Sequence, residues 1–274
     1  MFGMAANQEY LLGMDPAEIR RLEQQHETWR DQTEGVWKLA GFRAGQTIVD
    51  LGSGPGFTSL DLVGVVGESG RVVAVDSSTV ATDTLRAAAR RRGIANLEVV
   101  TADVSRFDLS AWNPDGVFAR WLFCYLPEPE MLVRQVASAL RRGATLAVMD
   151  YWNYLAIRTE PSTPLFRKVF QAVFDSFADA GGSLDVAGRL PALFATTGLR
   201  VTRVEPLCQV GGPGTPAWRW VAAFQKLYLP TLVHKNYLTP GELAQYQNWW
   251  REQERNKNAI LFGPPVLGVI GEKE

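Results

Sequence analysis

The chain has 274 residues, of which 46% are hydrophobic, which is enough for a sizeable core. Its formal net charge is −1, so it lacks the excess of basic residues with which proteins neutralise nucleic-acid phosphates, and a small-molecule partner fits better than a nucleic acid. Its two cysteines, Cys124 and Cys208, argue against a disulfide scaffold and against a zinc site, and we expect both to be buried thiols in a reducing compartment. The first residues do not form a signal-like segment and no stretch reaches the roughly 20 apolar residues of a membrane span, which predicts a cytoplasmic chain.

The first predicted element is a helix over 15–30. Asp15 is a candidate N-cap, Pro16 suits the first helical position, and Glu18 has the spacing of a capping box. We interpret residues 1–34 as an N-terminal helical lid. One stripe at helical spacing should face protein rather than water, and it consists of Ile19, Leu22, His26 and Trp29.

From residue 47 onward, β-rich runs alternate with helical runs, which is typical of a parallel sheet covered by helices on both faces. We predict a doubly wound, Rossmann-like α/β core over 35–150. After this core we predict a helical cap insertion over 151–198 and further strands and helices over 199–274 that complete the sheet. The predicted strands are 47–51, 71–75, 97–100, 116–120, 144–150, 199–209 and 260–271, the last interrupted by Pro264 and Pro265. The predicted helices of this part are 56–66, 79–92, 128–141, 164–180, 217–228 and 239–255.

The segment VDLGSGPGF places Gly52, Gly54 and Gly56 at alternate positions directly after the first core strand. In a doubly wound sheet this loop lies at the edge where ligands bind, and glycine allows a positive φ and close approach of a ligand. A dinucleotide fingerprint requires a glycine three residues after its second glycine, but Phe57 occupies that position. The spacing therefore disfavours an NAD(P)-dependent oxidoreductase, which remains the alternative enzyme class.

The D-x-G-x-G-x-G arrangement that begins at Asp50 resembles motif I of the class I S-adenosylmethionine-dependent methyltransferases, of the small-molecule type with a core like that of ubiquinone and menaquinone biosynthesis. Asp76 ends the second strand, where that family has an acid that accepts both ribose hydroxyls, and Asp103 follows the third strand like the acid that receives the adenine amino group. The resemblance covers roughly 35–150 and implies a mostly parallel seven-stranded sheet whose last strand is antiparallel. It also implies S-adenosyl-L-methionine as cofactor and S-adenosyl-L-homocysteine as product.

The same resemblance implies a set of cofactor-binding residues. Val104 would offer a backbone contact, and Tyr10 resembles an N-terminal tyrosine that closes over the methionine end of the cofactor in some relatives. A structural role, such as capping a helix, is the alternative for each acid, and Asp50 can both hold the glycine loop and face the cofactor's amino group. The set is Tyr10, Asp50, Gly52, Gly54, Gly56, Asp76, Ser77, Asp103, Val104 and Arg120.

Methyl transfer is an in-line displacement, so the protein mainly aligns donor and acceptor and excludes water. Aromatic side chains suited to a planar or cationic ligand follow the fourth and fifth strands, and we expect the acceptor beside them. The candidate catalytic residues are His26, Trp121 and Tyr151, with His26 as the base that an oxygen acceptor would need; packing is the alternative role for this histidine. The aromatic residues of the two segments are Trp121, Phe123, Tyr125, Tyr151, Trp152 and Tyr154.

We expect no catalytic metal, because the acids of metal-assisted relatives are replaced by Arg120 and by Asp150 followed by Tyr151. The sequence thus predicts methyl transfer to a small, apolar or aromatic acceptor, with oxygen, nitrogen and carbon acceptors all open. A non-catalytic methyltransferase-like subunit is a further alternative, and a homo-oligomer is left open.

Overall fold

The computed structural model describes residues 13–274. Within them, seven strands form one sheet in the order third, second, first, fourth, fifth, tenth, seventh, and three short strands form a second sheet. In chain order the strands are β1 (Thr47–Leu51), β2 (Arg71–Asp76), β3 (Leu97–Thr101), β4 (Gly116–Arg120), β5 (Thr145–Tyr151), β6 (Arg158–Glu160), β7 (Leu199–Leu207), β8 (Val210–Gly211), β9 (Ile260–Phe262) and β10 (Val266–Lys273).

Strands β1 to β5 pair in parallel, whereas β10 runs antiparallel to both of its neighbours, β5 and β7. This arrangement confirms the predicted doubly wound sheet with an antiparallel last strand. The central strands are continuous apolar runs, and residues 72–75 of β2 are fully buried because helices cover both faces of the sheet. The edge strand β3 is only half-buried.

Seven helices in the described part of the chain begin within about one residue of the predicted positions, whereas the short helix Leu190–Ala195 was not predicted individually. Asp15 caps the first helix, since its carboxylate accepts the backbone N–H groups of Ala17 and Glu18 at 2.7 and 2.9 Å. This helix continues beyond the predicted end at residue 30 and crosses the predicted domain boundary at 34/35. The helices are α1 (Pro16–Leu39), α2 (Phe57–Val66), α3 (Thr79–Arg91), α4 (Pro129–Ala139), α5 (Pro164–Asp179), α6 (Leu190–Ala195), α7 (Pro216–His234) and α8 (Pro240–Arg255).

The last predicted strand is interrupted where expected, because Pro264 and Pro265 cannot donate to a ladder and separate β9 from β10. Two other local predictions are wrong. The predicted strand over 199–209 ends at Leu207, and β8 begins separately. Cys208 lies in this exposed break rather than in the core, although the other cysteine is buried as expected.

The helices outside the core lie over one edge of the sheet. Helix α1 packs against α7 and also touches α2 and β5, while α5 packs against α7 and α8. These contacts place α1, α5 and α7 around the carboxyl ends of the parallel strands. From residue 13 onward, no helix combines the length and apolar character needed to cross a membrane.

Candidate active site

A cavity of about 1770 Å³ lies at the carboxyl edge of the sheet. Its wall includes residues that end or follow each parallel strand, namely Gly52, Ser77, Asp103, Trp121 and Tyr151. The opposite wall comes from α1, α5 and α7. Open α/β sheets bind ligands at this edge, so the cavity is the candidate active site.

The glycines of the first loop serve different purposes. All of them have positive φ, at +66° for Gly52, +54° for Gly54 and +84° for Gly56. A Cβ on Gly52 would lie 2.9 Å from Leu122 and one on Gly56 would lie 2.2 Å from Leu85, whereas a Cβ on Gly54 would meet nothing within 4 Å. Gly52 and Gly56 thus allow the loop to pack against its neighbours, and Gly54 leaves open space at the cavity wall.

Asp76 holds this loop while lining the cavity. Its Oδ2 accepts the backbone N–H of Gly54 at 2.7 Å, and its Oδ1 accepts that of Ser78 at 2.8 Å. Burial raises the pKa of the Asp76 carboxyl. Because each carboxylate oxygen carries two lone pairs, both oxygens retain capacity for a further donor. The structural and the ligand-binding roles are therefore compatible, and the ribose contact stays a prediction.

Asp50, in β1, is a buried acid in the cavity wall. Its Oδ2 accepts hydrogen bonds from the hydroxyls of Thr58 at 2.8 Å and Ser59 at 2.5 Å, both in the first turn of α2. Burial raises the pKa of Asp50 to about 6, against the opposing effect of these hydroxyls and of Arg120. The carboxylate is therefore an anion at neutral pH and can attract a cationic group.

The residues predicted to contact adenine lie together at the end of β3. Asp103 accepts the backbone N–H and the hydroxyl of Ser105 at 2.9 and 2.8 Å, which begins a short 3-10 turn. Asp103, Val104 and Ser77 all line the cavity. Their contacts with a cofactor remain predictions, and Tyr10 lies outside the described residues.

Arg120, the last residue of β4, also lines the cavity. Its Nη1 donates to the hydroxyl of Thr33 at 2.9 Å, and its Nη2 lies 3.2 Å from Nδ1 of His26. The guanidinium carbon lies 4.9 Å from the centroid of the Trp121 ring. Burial lowers the pKa of Arg120 to about 10, so the side chain remains a cation at neutral pH.

His26 does not reach the cavity surface, contrary to the expectation that it acts as a base. Its Nε2 lies 2.9 Å from Oδ2 of Asp61, and its side chain is 2% exposed. Burial lowers the pKa of His26, and Arg120 lowers it further, so we assign a neutral ring that donates from Nε2 to Asp61 and accepts at Nδ1 from Arg120. Both ring nitrogens are thereby engaged within the protein.

Trp121 and Tyr151, the other two candidate catalytic residues, both line the cavity. Trp121 has a φ of +51°, an uncommon conformation for a bulky residue and one that is often found at functional sites. Its ring centroid lies 6.0 Å from that of Tyr151, which in turn lies 5.2 Å from Tyr154. Burial raises the pKa of Tyr151 well above its usual value, so its phenol stays protonated.

The other predicted aromatic residues divide into two groups. Tyr125 and Tyr154 line the cavity, but Phe123 is fully buried in the core, and Trp152 is exposed and lies against Gly188. A strand end presents successive side chains in different directions, so sequence proximity does not guarantee a shared surface.

Asp150 fixes the loop that carries these aromatic residues. Its Oδ2 accepts the backbone N–H of Cys124 at 3.1 Å, and its Oδ1 accepts its neighbour's N–H, that of Tyr151, at 2.8 Å. The residue is completely buried, and this burial raises its pKa to about 7. Asp150 therefore ties the end of β5 to the loop after β4.

Sequence reasoning missed a buried polar group on α1. Arg21 donates to Gln25 at 2.8 Å and to Glu18 at 2.7 Å, and Gln25 also accepts the indole N–H of Trp220 at 3.0 Å. Arg21 and Gln25 line the cavity. The spacing of positions 18, 21 and 25 on one helical face was the available signal. Further cavity residues that were missed come from α5 and α7: Phe170, Phe177, Trp220, Val221 and Phe224.

The chain is similar to known methyltransferases. Residues 48–143 match the family model described as "Methyltransferase domain". The ubiquinone/menaquinone biosynthesis C-methyltransferase UbiE of Azotobacter vinelandii is 26% identical over 160 residues, which cover 58% of this chain and 59% of the relative. The 23S rRNA (uracil(1939)-C(5))-methyltransferase RlmD of Psychrobacter arcticus is 33% identical over 149 residues, covering 44% of this chain and 29% of that protein.

A solved structure extends the likeness in fold to almost the whole chain. Geranyl diphosphate C-methyltransferase from Streptomyces coelicolor, solved with Mg²⁺, geranyl diphosphate and S-adenosyl-L-homocysteine, has a TM-score of 0.58 and 17% identity, covering 97% of this chain and 88% of that one. At this identity the likeness concerns the fold. By sequence, the match spans about three fifths of the length of the UbiE relative.

Proposed function

We propose that this chain, which carries a class I S-adenosylmethionine-dependent methyltransferase domain, transfers a methyl group to a small, largely apolar or aromatic molecule. The observation that carries the proposal is the continuity of one cavity. The acids at the ends of the first three strands and the aromatic residues at the ends of the fourth and fifth strands line the same space. A polar cofactor and an apolar acceptor can therefore meet within it.

The carboxylates and the glycine loop at the strand ends fit S-adenosylmethionine. Asp76 has free lone pairs for ribose hydroxyls, Asp103 lies at the next strand end, and the open space at Gly54 admits a ligand next to the backbone. Asp50 is an anion suited to the ammonium group. When bound, this cofactor supplies a methyl group on a positively charged sulfur, which activates the carbon for displacement.

The chain's own contribution is alignment and exclusion of water. Trp121 and Tyr151 offer flat faces beside the strand ends, and α1, α5 and α7 cover them. Tyr151 is a poor base because its phenol stays protonated, and His26 is engaged by Asp61 and Arg120. An acceptor that arrives already nucleophilic, such as an electron-rich ring carbon or a neutral amine, fits this arrangement best.

Carbon is the first acceptor atom to test, because the UbiE relative is named as a C-methyltransferase of quinone biosynthesis. The RlmD relative is named for ribosomal RNA, but the apolar wall of the cavity and the net charge of −1 favour a small molecule over a polynucleotide. In this proposal the core over 35–150 binds the cofactor, whereas α1, α5 and α7 cover the acceptor.

Isothermal calorimetry with S-adenosylmethionine, S-adenosylhomocysteine and NAD tests the cofactor. We expect both adenosyl compounds to bind and NAD to bind more weakly; tighter binding of NAD would refute the proposal. Incubation with methyl-labelled cofactor and a panel of phenols, quinols and aromatic amines then tests transfer. Cofactor binding without transfer to any member of a broad panel would favour a non-catalytic subunit.

A further inference from the structure

Two opposite charges lie at neighbouring strand ends in the cavity. Leu51 of β1 pairs with Ala119 of β4, so Arg120 lies one step further along, beside the start of the glycine loop. Asp50 precedes that loop on the adjacent strand, and both charged residues line the cavity. Among residues 13–274, Asp50 and Arg120 interact electrostatically but form no direct ion pair. An anionic and a cationic subsite therefore lie side by side.

The Arg120 guanidinium has only neutral hydrogen-bond partners within the described part of the chain. These partners are the Thr33 hydroxyl and Nδ1 of His26, which accept from Nη1 and Nη2. A guanidinium carries five N–H donors, so donors remain for a ligand. Arg120 is partly buried. Because burial makes a cation without a contacting carboxylate costly unless an anion joins it, this points to an anionic ligand group at Arg120.

A chain of hydrogen bonds fixes where this guanidinium points. Asp61 of α2 lies 2.9 Å from Nε2 of His26 and also accepts from Arg30 at 2.9 Å. With its Nε2 proton directed to Asp61, the imidazole presents a lone pair at Nδ1 to Arg120. Helices α1 and α2 thereby position a side chain of β4.

We propose that Arg120 binds the carboxylate at the amino-acid end of the cofactor, and that His26, held by Asp61, is the positioning residue that orients it. Asp50 then takes the ammonium group of the same zwitterion. The inference rests on the proposed function. It assigns His26 a role in cofactor affinity in place of acid-base chemistry, and it explains why a neutral acceptor rather than a carboxylate holds the guanidinium.

The test compares two ligands by calorimetry: S-adenosylhomocysteine, and 5′-methylthioadenosine, which lacks the amino-acid end. We expect Arg120→Met to weaken binding of S-adenosylhomocysteine by about 10- to 100-fold, as for the loss of a charged hydrogen bond, and to leave binding of methylthioadenosine within about twofold. Retained binding of methylthioadenosine also shows that the variant is folded. If Arg120→Met no longer binds methylthioadenosine, the comparison of the two ligands is made with Arg120→Lys instead, because the lysine ammonium keeps the positive charge but not the forked donors of the guanidinium.

His26 variants separate positioning from packing. Asn at position 26 keeps an acceptor where Nδ1 lies, so His26→Asn should stay within about threefold of the wild type for S-adenosylhomocysteine. His26→Leu should lose about tenfold for that ligand alone. Equal losses for both ligands, or no loss in either Arg120 variant, would overturn the inference while leaving the proposed function intact. A wild-type chain that binds neither ligand would overturn both.

Discussion

Replacing Gly56 with alanine perturbs the loop at its most crowded point. The residue has a φ of +84° and precedes α2 as its N-cap. An added Cβ would lie 2.2, 2.5 and 2.7 Å from three side-chain carbons of Leu85. Leu85, on α3, is fully buried with Leu60 and Ala74, so it has little room to move.

The expected loss of folding stability in Gly56→Ala has two parts. A non-glycine residue in the left-handed region costs about 1–2 kcal/mol, and overpacking of a buried side chain costs about 1–3 kcal/mol, so Gly56→Ala should reduce the free energy of unfolding by about 2–5 kcal/mol. Gly54→Ala is the matched control, because its φ of +54° brings the first cost but its Cβ meets nothing within 4 Å. Its added methyl would instead occupy the cavity wall and weaken binding of S-adenosylhomocysteine.

Urea unfolding of the two variants measures both effects, with calorimetry of the same samples for ligand affinity. The same substitution is also made in the Leu85→Ala variant, which lacks the three side-chain carbons that the added Cβ at position 56 would clash with. In that background Gly56→Ala should cost only the conformational part, about 1–2 kcal/mol. Equal stability of Gly54→Ala and Gly56→Ala, or a cost that Leu85→Ala does not reduce, would refute the reasoning.

Three further predictions concern the acids and the aromatic wall. Asp76→Ala should weaken S-adenosylhomocysteine binding by about 10- to 100-fold in calorimetry, and more than Asp76→Asn, which keeps one acceptor oxygen; unchanged affinity in the folded variants would leave Asp76 a structural role only. Asp150 has a folded pKa of about 7, above its unfolded value of about 3.9, so its contribution to stability is complete at low pH and is lost as the pH rises through 7. Urea unfolding of the wild type should therefore lose about 3 kcal/mol more between pH 5 and pH 8 than that of Asp150→Asn, and parallel pH profiles would contradict this. Trp121→Ala and Tyr151→Ala should each lower kcat/KM for the acceptor by about 2- to 10-fold, and if neither changes it, the acceptor binds elsewhere.

The sequence by itself determined the features that depend on short-range interactions. The Asp15 cap, the apolar runs of the parallel strands and the glycine loop are each specified within a few residues, since capping, burial on both faces and positive φ are properties of local segments. The order of acids after successive strands followed from the same pattern, because parallel strands bring their carboxyl ends to one edge. The local error at 199–209 arose because the chain leaves the sheet ladder after Leu207, which a continuous β-rich run does not reveal.

Only the tertiary structure decided what each site residue touches. His26 lies 94 positions from Arg120 and 35 from Asp61 along the chain, and Thr33 lies 87 from Arg120. Helical spacing is equally compatible with several buried faces of α1, and its rotation is fixed by packing against α7 and α2. The contacts of a side chain with distant segments depend on helix rotation and strand register, and the local sequence does not specify either. For this reason the sequence predicted His26 as a base, whereas in the fold this histidine contacts Arg120.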